Sequence, residues 1–126
     1  MDLNQVTVPS SDMERSITFY QTLGFELIVH THERYARFAL PDGDASFSLQ
    51  YRPGYVAAQG IHLYFEVDDV EATYKDLQSK GITFISPPEM KSWLWNEAHL
   101  LDPDENYLII FHAGDNRLNP PWRLRK

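Results

Sequence analysis

The 126-residue chain has no cysteine, so disulfides, thiol nucleophiles and thiolate metal sites are all excluded, and a reducing compartment fits. No apolar run approaches membrane length. The opening MDLNQVTV has neither the basic nor the apolar stretch of a secretory leader, so a soluble cytoplasmic protein is expected. Basic side chains are scarce: 11 Lys and Arg stand against 18 Asp and Glu, giving a formal net charge of −7. Arg117, Arg123, Arg125 and Lys126 crowd into the last fourteen positions, which leaves residues 1–112 with 7 basic and 17 acidic groups, a balance of −10. That field repels phosphate backbones, so nucleic acid is not an expected partner. Cationic small molecules would be attracted to it, although an acidic surface also serves solubility alone. The sequence also lacks a Ser-His-Asp order, a phosphate-cradling glycine loop and a catalytic carboxylate pair.

What is present is a globular composition, 43% hydrophobic and 13% aromatic, enough to bury a core in a single domain. The chain also repeats itself. Shifting the segment at Gln5 by 57 positions lays it on the segment at His62 without a gap. Asp12 then meets Asp69, Glu14 meets Glu71, Gln21 meets Gln78 and Gly24 meets Gly81. The apolar positions Met13, Ile17 and Tyr20 fall on Val70, Tyr74 and Leu77, one stripe of a helix in each copy. Ser11-Asp12-Met13-Glu14 fits a capping box, Asp68 with Glu71 caps the second helix, and Gly24 and Gly81 supply left-handed stops.

Strands are expected over residues 3–8, 25–30, 34–40 and 45–52, then 60–67, 82–86, 96–101 and 107–112. Pro87-Pro88 should break the chain after the sixth strand. Residues 41–44 and 102–106 read as turns. The layout is therefore α+β: one domain spanning 1–126, with βαβββ modules over 3–52 and 60–112. A linker over 53–59 joins them, and the tail over 113–126 packs through Leu118, Trp122 and Leu124 or swaps onto a partner. A matched pair of modules places the function between them, with Gln5 and His62 as the first candidates.

This grammar resembles the vicinal oxygen chelate superfamily, which includes glyoxalase I, extradiol dioxygenases and the bleomycin-resistance proteins. The resemblance is carried by Gln5 in its strand, by Ser16-Ile17-Thr18-Phe19-Tyr20 followed by Leu23-Gly24-Phe25, and by His62 with Val67-Asp68-Asp69-Val70. The turn Asp102-Pro103-Asp104-Glu105-Asn106 is similar to the family's Asp-Pro-Asp-Gly-Asn, with Glu105 replacing Gly. The resemblance covers residues 3–112 and implies tandem modules forming a curved mixed sheet around a cleft. It also implies a homodimer.

Catalytic relatives usually hold a divalent metal such as zinc, nickel or manganese through the first and last strand of each module. By that resemblance the ligand positions are Gln5, Ser48, His62 and Ile110. The family's enzymes usually place Glu at the two last-strand positions. Isoleucine cannot bind metal and a neutral serine hydroxyl is a poor ligand, so Gln5 and His62 fall short of the three or four ligands expected. Gln50 or His112 could substitute only after a register slip or bulge.

Along its strand His62 shares one face with Tyr64 and Glu66. That face is either a solvated sheet surface or a pocket in which His62 donates a hydrogen bond or acts as a base. Trp93, Trp95 and Glu97 share strand parity with His99. They either close a core or dimer seam, or form an aromatic wall with a carboxylate suited to a planar or cationic ligand. His30 and His32 read as surface residues. The expected ligand-binding set is Gln5, Ser48, Gln50, His62, Tyr64, Trp93, Trp95, Glu97, Ile110 and His112. The expected function is metal-independent binding of an aromatic or cationic small molecule. The alternative is a metal-dependent glyoxalase-like lyase or isomerase acting on a small carbonyl or thiol adduct, with the ion on Gln5 and His62. Dioxygenase chemistry lacks both a His and the acid of its usual metal face.

Overall fold

A computed structural model describes residues 1–57 and 59–124. Ala58 of the expected linker, and Arg125 and Lys126 of the expected tail, lie outside the described residues. The elements in order are β1 (Gln5–Ser10), α1 (Met13–Thr22), β2 (Glu26–Thr31), β3 (Tyr35–Ala39), β4 (Ser46–Tyr51), β5 (His62–Glu66), α2 (Val70–Ser79), β6 (Phe84–Met90), β7 (Asn96–Leu101) and β8 (Tyr107–His112), followed by a 3-10 turn, Gly114–Arg117. Two four-stranded mixed sheets result, with strand orders β1-β4-β3-β2 and β5-β8-β7-β6. In each, the first strand runs parallel to its neighbour and the remaining pairs are antiparallel. The tandem βαβββ fold is thus the one the repeat predicts.

Two compact units emerge: Met1–Gly60 with Asp102–Asn106, and Ile61–Leu101 with Tyr107–Lys126. The β7–β8 turn therefore belongs to the first unit. In that unit the fully buried Tyr20 of α1 sits at 4.6 Å from Phe47, 5.4 Å from Phe25 and 6.0 Å from Phe38 between ring centroids. Its hydroxyl donates to Asp102 at 2.6 Å, so a phenol in an apolar core keeps its hydrogen bond. In the second unit Val70 and Leu77 of α2 are buried, and Tyr74 packs edge-on against Phe84 at 4.8 Å.

The helices begin one residue later than the capping expectation. Asp12 caps α1 by accepting from Arg15 N at 3.2 Å, and Asp69 caps α2 by accepting from Ala72 N at 3.0 Å. Ser11 is engaged elsewhere: its hydroxyl and its backbone N–H both go to Asp104 Oδ1. The expected break at Pro87-Pro88 is also corrected, because β6 runs through both prolines. It is an edge strand, and the prolines fall in the register shift between Ser86 and Glu89, where no ladder donor is required. Leu118, Trp122 and Leu124 of the tail are exposed. Among the described residues no helix is long and apolar enough to cross a membrane.

Candidate functional site

Strand alternation gives each sheet one face toward its helix and one face away. In the first unit the face away from α1 carries Gln5 and Thr7 of β1, Ser46, Ser48 and Gln50 of β4, and Tyr35 and Arg37 of β3, as the cross-strand pairs require. Phe38 and Phe47, paired with each other, take the helix side with Tyr20. Gln5 and Ser48 are brought together: Gln5 Nε2 donates to Ser48 Oγ at 2.6 Å, and Ser46 donates to Gln5 Oε1. Ser48 Oγ also lies 2.8 Å from the Tyr35 hydroxyl, which accepts from Arg37 Nε at 2.8 Å. Burial alone would raise the Tyr35 phenol, but the bonds to Ser48 and Arg37 outweigh it and hold the phenol below the usual tyrosine value. Gln50 is exposed and makes no bond to this network.

In the second unit the face away from α2 carries His62, Tyr64 and Glu66 of β5, Tyr107, Ile109 and Phe111 of β8, and Glu97 and His99 of β7. Glu97, only 2% exposed, is the centre of this face. Its Oε2 accepts from the Trp93 indole N–H at 2.8 Å, and its Oε1 lies 2.7 Å from His99 Nε2. His99 Nδ1 lies 2.6 Å from the Tyr107 hydroxyl, and the exposed His62 ring stacks on Tyr107 at 4.4 Å. Trp93 lies in the turn before β7 rather than in the strand, and reaches Glu97 by its indole alone. Beside this chain Trp95 stacks on Phe111 at 4.8 Å, and Tyr64 meets both rings edge-on at 5.6 and 5.4 Å. Burial, and then the charge of Glu97 and the Tyr107 phenol, hold the Tyr64 phenol above its usual value.

A carboxylate accepts, so the His99 Nε2–H donates to Glu97, and with the proton on Nε2 alone His99 Nδ1 accepts from the Tyr107 hydroxyl. The Tyr107 oxygen is left to present lone pairs to a ligand, with a buried carboxylate behind it. An oxygen so placed can accept a hydrogen bond from a donor group.

Two expected site residues face the other way. Ile110 pairs with Phe65 and Ala98 on the α2 side, where it is buried, and Ile109 takes the position beside Tyr64. The correction is one residue of register, enough to turn a side chain through the sheet. His112 shares the face of Ile110 and bonds the Val67 carbonyl through Nδ1 at 2.8 Å. Glu66 does not reach the His62 network. It accepts from Ala113 N at 2.7 Å and Gly114 N at 2.9 Å, fastening the 3-10 turn. Sequence reasoning missed Tyr35, Arg37 and Tyr107. The first two carried a usable signal, since they alternate along β3 and share parity in the pairing with Ser48.

Among the described residues no group of three or more His, Cys, Asp or Glu side chains is placed to hold a metal. Both ends of the Gln5 amide are bonded to serines, and the β8 neighbours of His62 and Tyr64 are Tyr107 and Ile109. Apart from both faces, a groove of about 480 Å³ opens at the N-terminal end of α1, lined by residues 11–14, 32–34 and Tyr51. None of the residues expected to bind ligand lines it.

Comparison with known proteins follows the same lines as the fold. The family model described as Glyoxalase/Bleomycin resistance protein/Dioxygenase superfamily matches residues 2–110. The uncharacterized protein YraH of Bacillus subtilis (strain 168) is 31% identical over 127 residues, covering 88% of this chain and 98% of that protein. A glyoxalase/bleomycin resistance protein/dioxygenase from Nocardioides has a similar structure, with a TM-score of 0.79 at 20% identity over 99% of this chain and 90% of the other. A bleomycin resistance determinant encoded on the transposon Tn5 gives 0.74 at 24% identity, covering 90% and 98%. At these identities the two structures speak to the fold alone.

Proposed function

Since the chain belongs to the glyoxalase/bleomycin resistance protein/dioxygenase superfamily, we propose that it is a metal-independent binder of a cationic or aromatic small molecule. The observation that carries this reading is the Trp93–Glu97–His99–Tyr107 chain beside the Tyr64–Trp95–Phe111 rings. A ligand N–H would donate to the Tyr107 oxygen, with the Glu97 charge behind it, and a flat or cationic body would lie on exposed Tyr64, Trp93 and His62. An acidic chain draws such ligands in and releases them as salt rises. A bleomycin-binding protein complexed with bleomycin has a similar fold, with a TM-score of 0.70 at 23% identity, and gives the binder reading a precedent. A homodimer in the cytoplasm is part of the proposal, and light scattering on purified protein addresses the oligomeric state.

Titration of basic aromatic compounds, followed by tryptophan fluorescence, tests the reading. Saturable quenching is expected, with affinity falling about tenfold or more in Glu97→Gln, which removes the buried charge behind the Tyr107 oxygen. No binding across a broad panel overturns it. The lyase alternative requires bound metal, so elemental analysis and activity with and without chelator separate the two.

A further inference from the structure

The open face of the first sheet holds a phenol and a cation that the proposed function leaves unused. Tyr35 accepts the Arg37 Nε–H at 2.8 Å. Ser48, fully buried, already receives the Gln5 amide N–H at 2.6 Å and still has its own hydroxyl proton to place. Its one remaining hydrogen-bonding neighbour among the described residues is the Tyr35 oxygen, 2.8 Å away. The Tyr35 oxygen therefore accepts two hydrogen bonds, and its own proton points away from both donors.

Arg37 is exposed and spends only Nε on Tyr35. Among the described residues its two Nη groups have no hydrogen-bond partner, and no carboxylate pairs with it. In a chain with 18 acidic side chains and 11 basic ones, an arginine held in place without a carboxylate is conspicuous. The bond to Tyr35 and the 5.3 Å approach of the guanidinium to the Tyr35 ring orient the fork without neutralising it.

We infer that Tyr35 and Arg37 form a binding site for the carboxylate of a small molecule. The free edge of the guanidinium matches a carboxylate with two parallel N–H···O bonds, and the Tyr35 O–H adds a donor beside it. Ser48 and Gln5 act as positioning residues: they hold the phenol as an acceptor on its inner side, so that it donates on its outer side. The site lies on a different sheet from the Glu97 chain and does not depend on it.

The test is a titration of the ¹⁵N-labelled chain with benzoate, and in parallel with inorganic phosphate, at constant ionic strength, following the Arg37 Nε–H and the β3 amides by NMR. A saturable benzoate shift at Arg37 is expected. Arg37→Lys, which keeps the charge and loses the fork, should bind about tenfold to a hundredfold more weakly, and Tyr35→Phe about tenfold. No saturable shift, or an affinity unchanged in both variants, overturns the inference. Saturation by phosphate but not benzoate overturns the carboxylate assignment. Basic aromatic compounds titrated into the same sample report on the Glu97 face, so failure there leaves the benzoate result standing.

Discussion

Asp102 and Glu66 both accept two backbone N–H bonds, yet their proton affinities are pulled in opposite directions. Burial dominates at Asp102 and raises its pKa, despite the bonds from Tyr20, Asn106 and the backbone. At Glu66 burial pulls the same way, but the Ala113 and Gly114 N–H groups, with His112 and Arg117 nearby, outweigh it and lower the pKa. The signs of the stability effects follow. A raised carboxyl binds its proton more tightly when folded, so Asp102 adds stability as pH falls through its folded value and loses it as pH rises. Asp102→Asn should flatten that dependence, read as the difference in urea stability from the parent chain across mildly acidic pH. Asp102→Ala should cost about 3 kcal/mol, since it strands the buried Tyr20 hydroxyl. Glu66 behaves in reverse: its contribution is present above the ordinary glutamate value and disappears as pH falls through its lower folded value. Glu66→Gln should cost about 1 kcal/mol at neutral pH, a modest figure because the side chain is a third exposed. Faster amide exchange at Ala113 and Gly114 would accompany the loss.

At the level of elements, the two helices provide a matched experiment. Asp12→Ala and Asp69→Ala should each cost about 1 kcal/mol in chemical denaturation, because each removes a cap on the first turn. Asp68→Ala should cost much less. The repeat made both helices legible, since caps, apolar stripe and glycine stops agree along the sequence. The cap position was not legible to the residue, because Ser11 is drawn away by Asp104, a partner 93 positions distant that no local pattern announces. Long-range pairing hides β6 and β8 in the same way. Prolines end a strand by local rules, but at a sheet edge they do not. The β8 run Leu108-Ile109-Ile110-Phe111 is apolar throughout, so nothing in its composition says which residues share the His62 face; the ladder with β5 decides it.

For the whole molecule, the fold was therefore far more legible than the site. Gln5, Ser48, His62, Trp95 and Glu97 do fall on the faces away from the helices, because two-residue alternation is a property of the strand itself. The connections among them were not readable. Which phenol bonds which imidazole depends on cross-strand neighbours such as His99 and Ile109, or Arg37 and Ser48. A fragment ending at Gly60 has the whole first repeat yet lacks the Asp102–Asn106 turn that belongs to its unit. It should unfold at markedly lower urea than the intact chain, with a shallow, non-cooperative transition seen by circular dichroism.

That borrowed turn also sets an order of events during synthesis. The first half of the chain leaves the ribosome with the rings that enclose Tyr20 in the finished fold, Phe25, Phe38 and Phe47, but without the Asp102 carboxylate that receives its hydroxyl proton. Its carboxylate partner is translated 82 positions later, after β5, α2, β6 and β7 have been made. The nascent first module therefore waits, incompletely packed, until the second is almost finished, and Asp102 closes the earlier half as one of the last acts of making the later one.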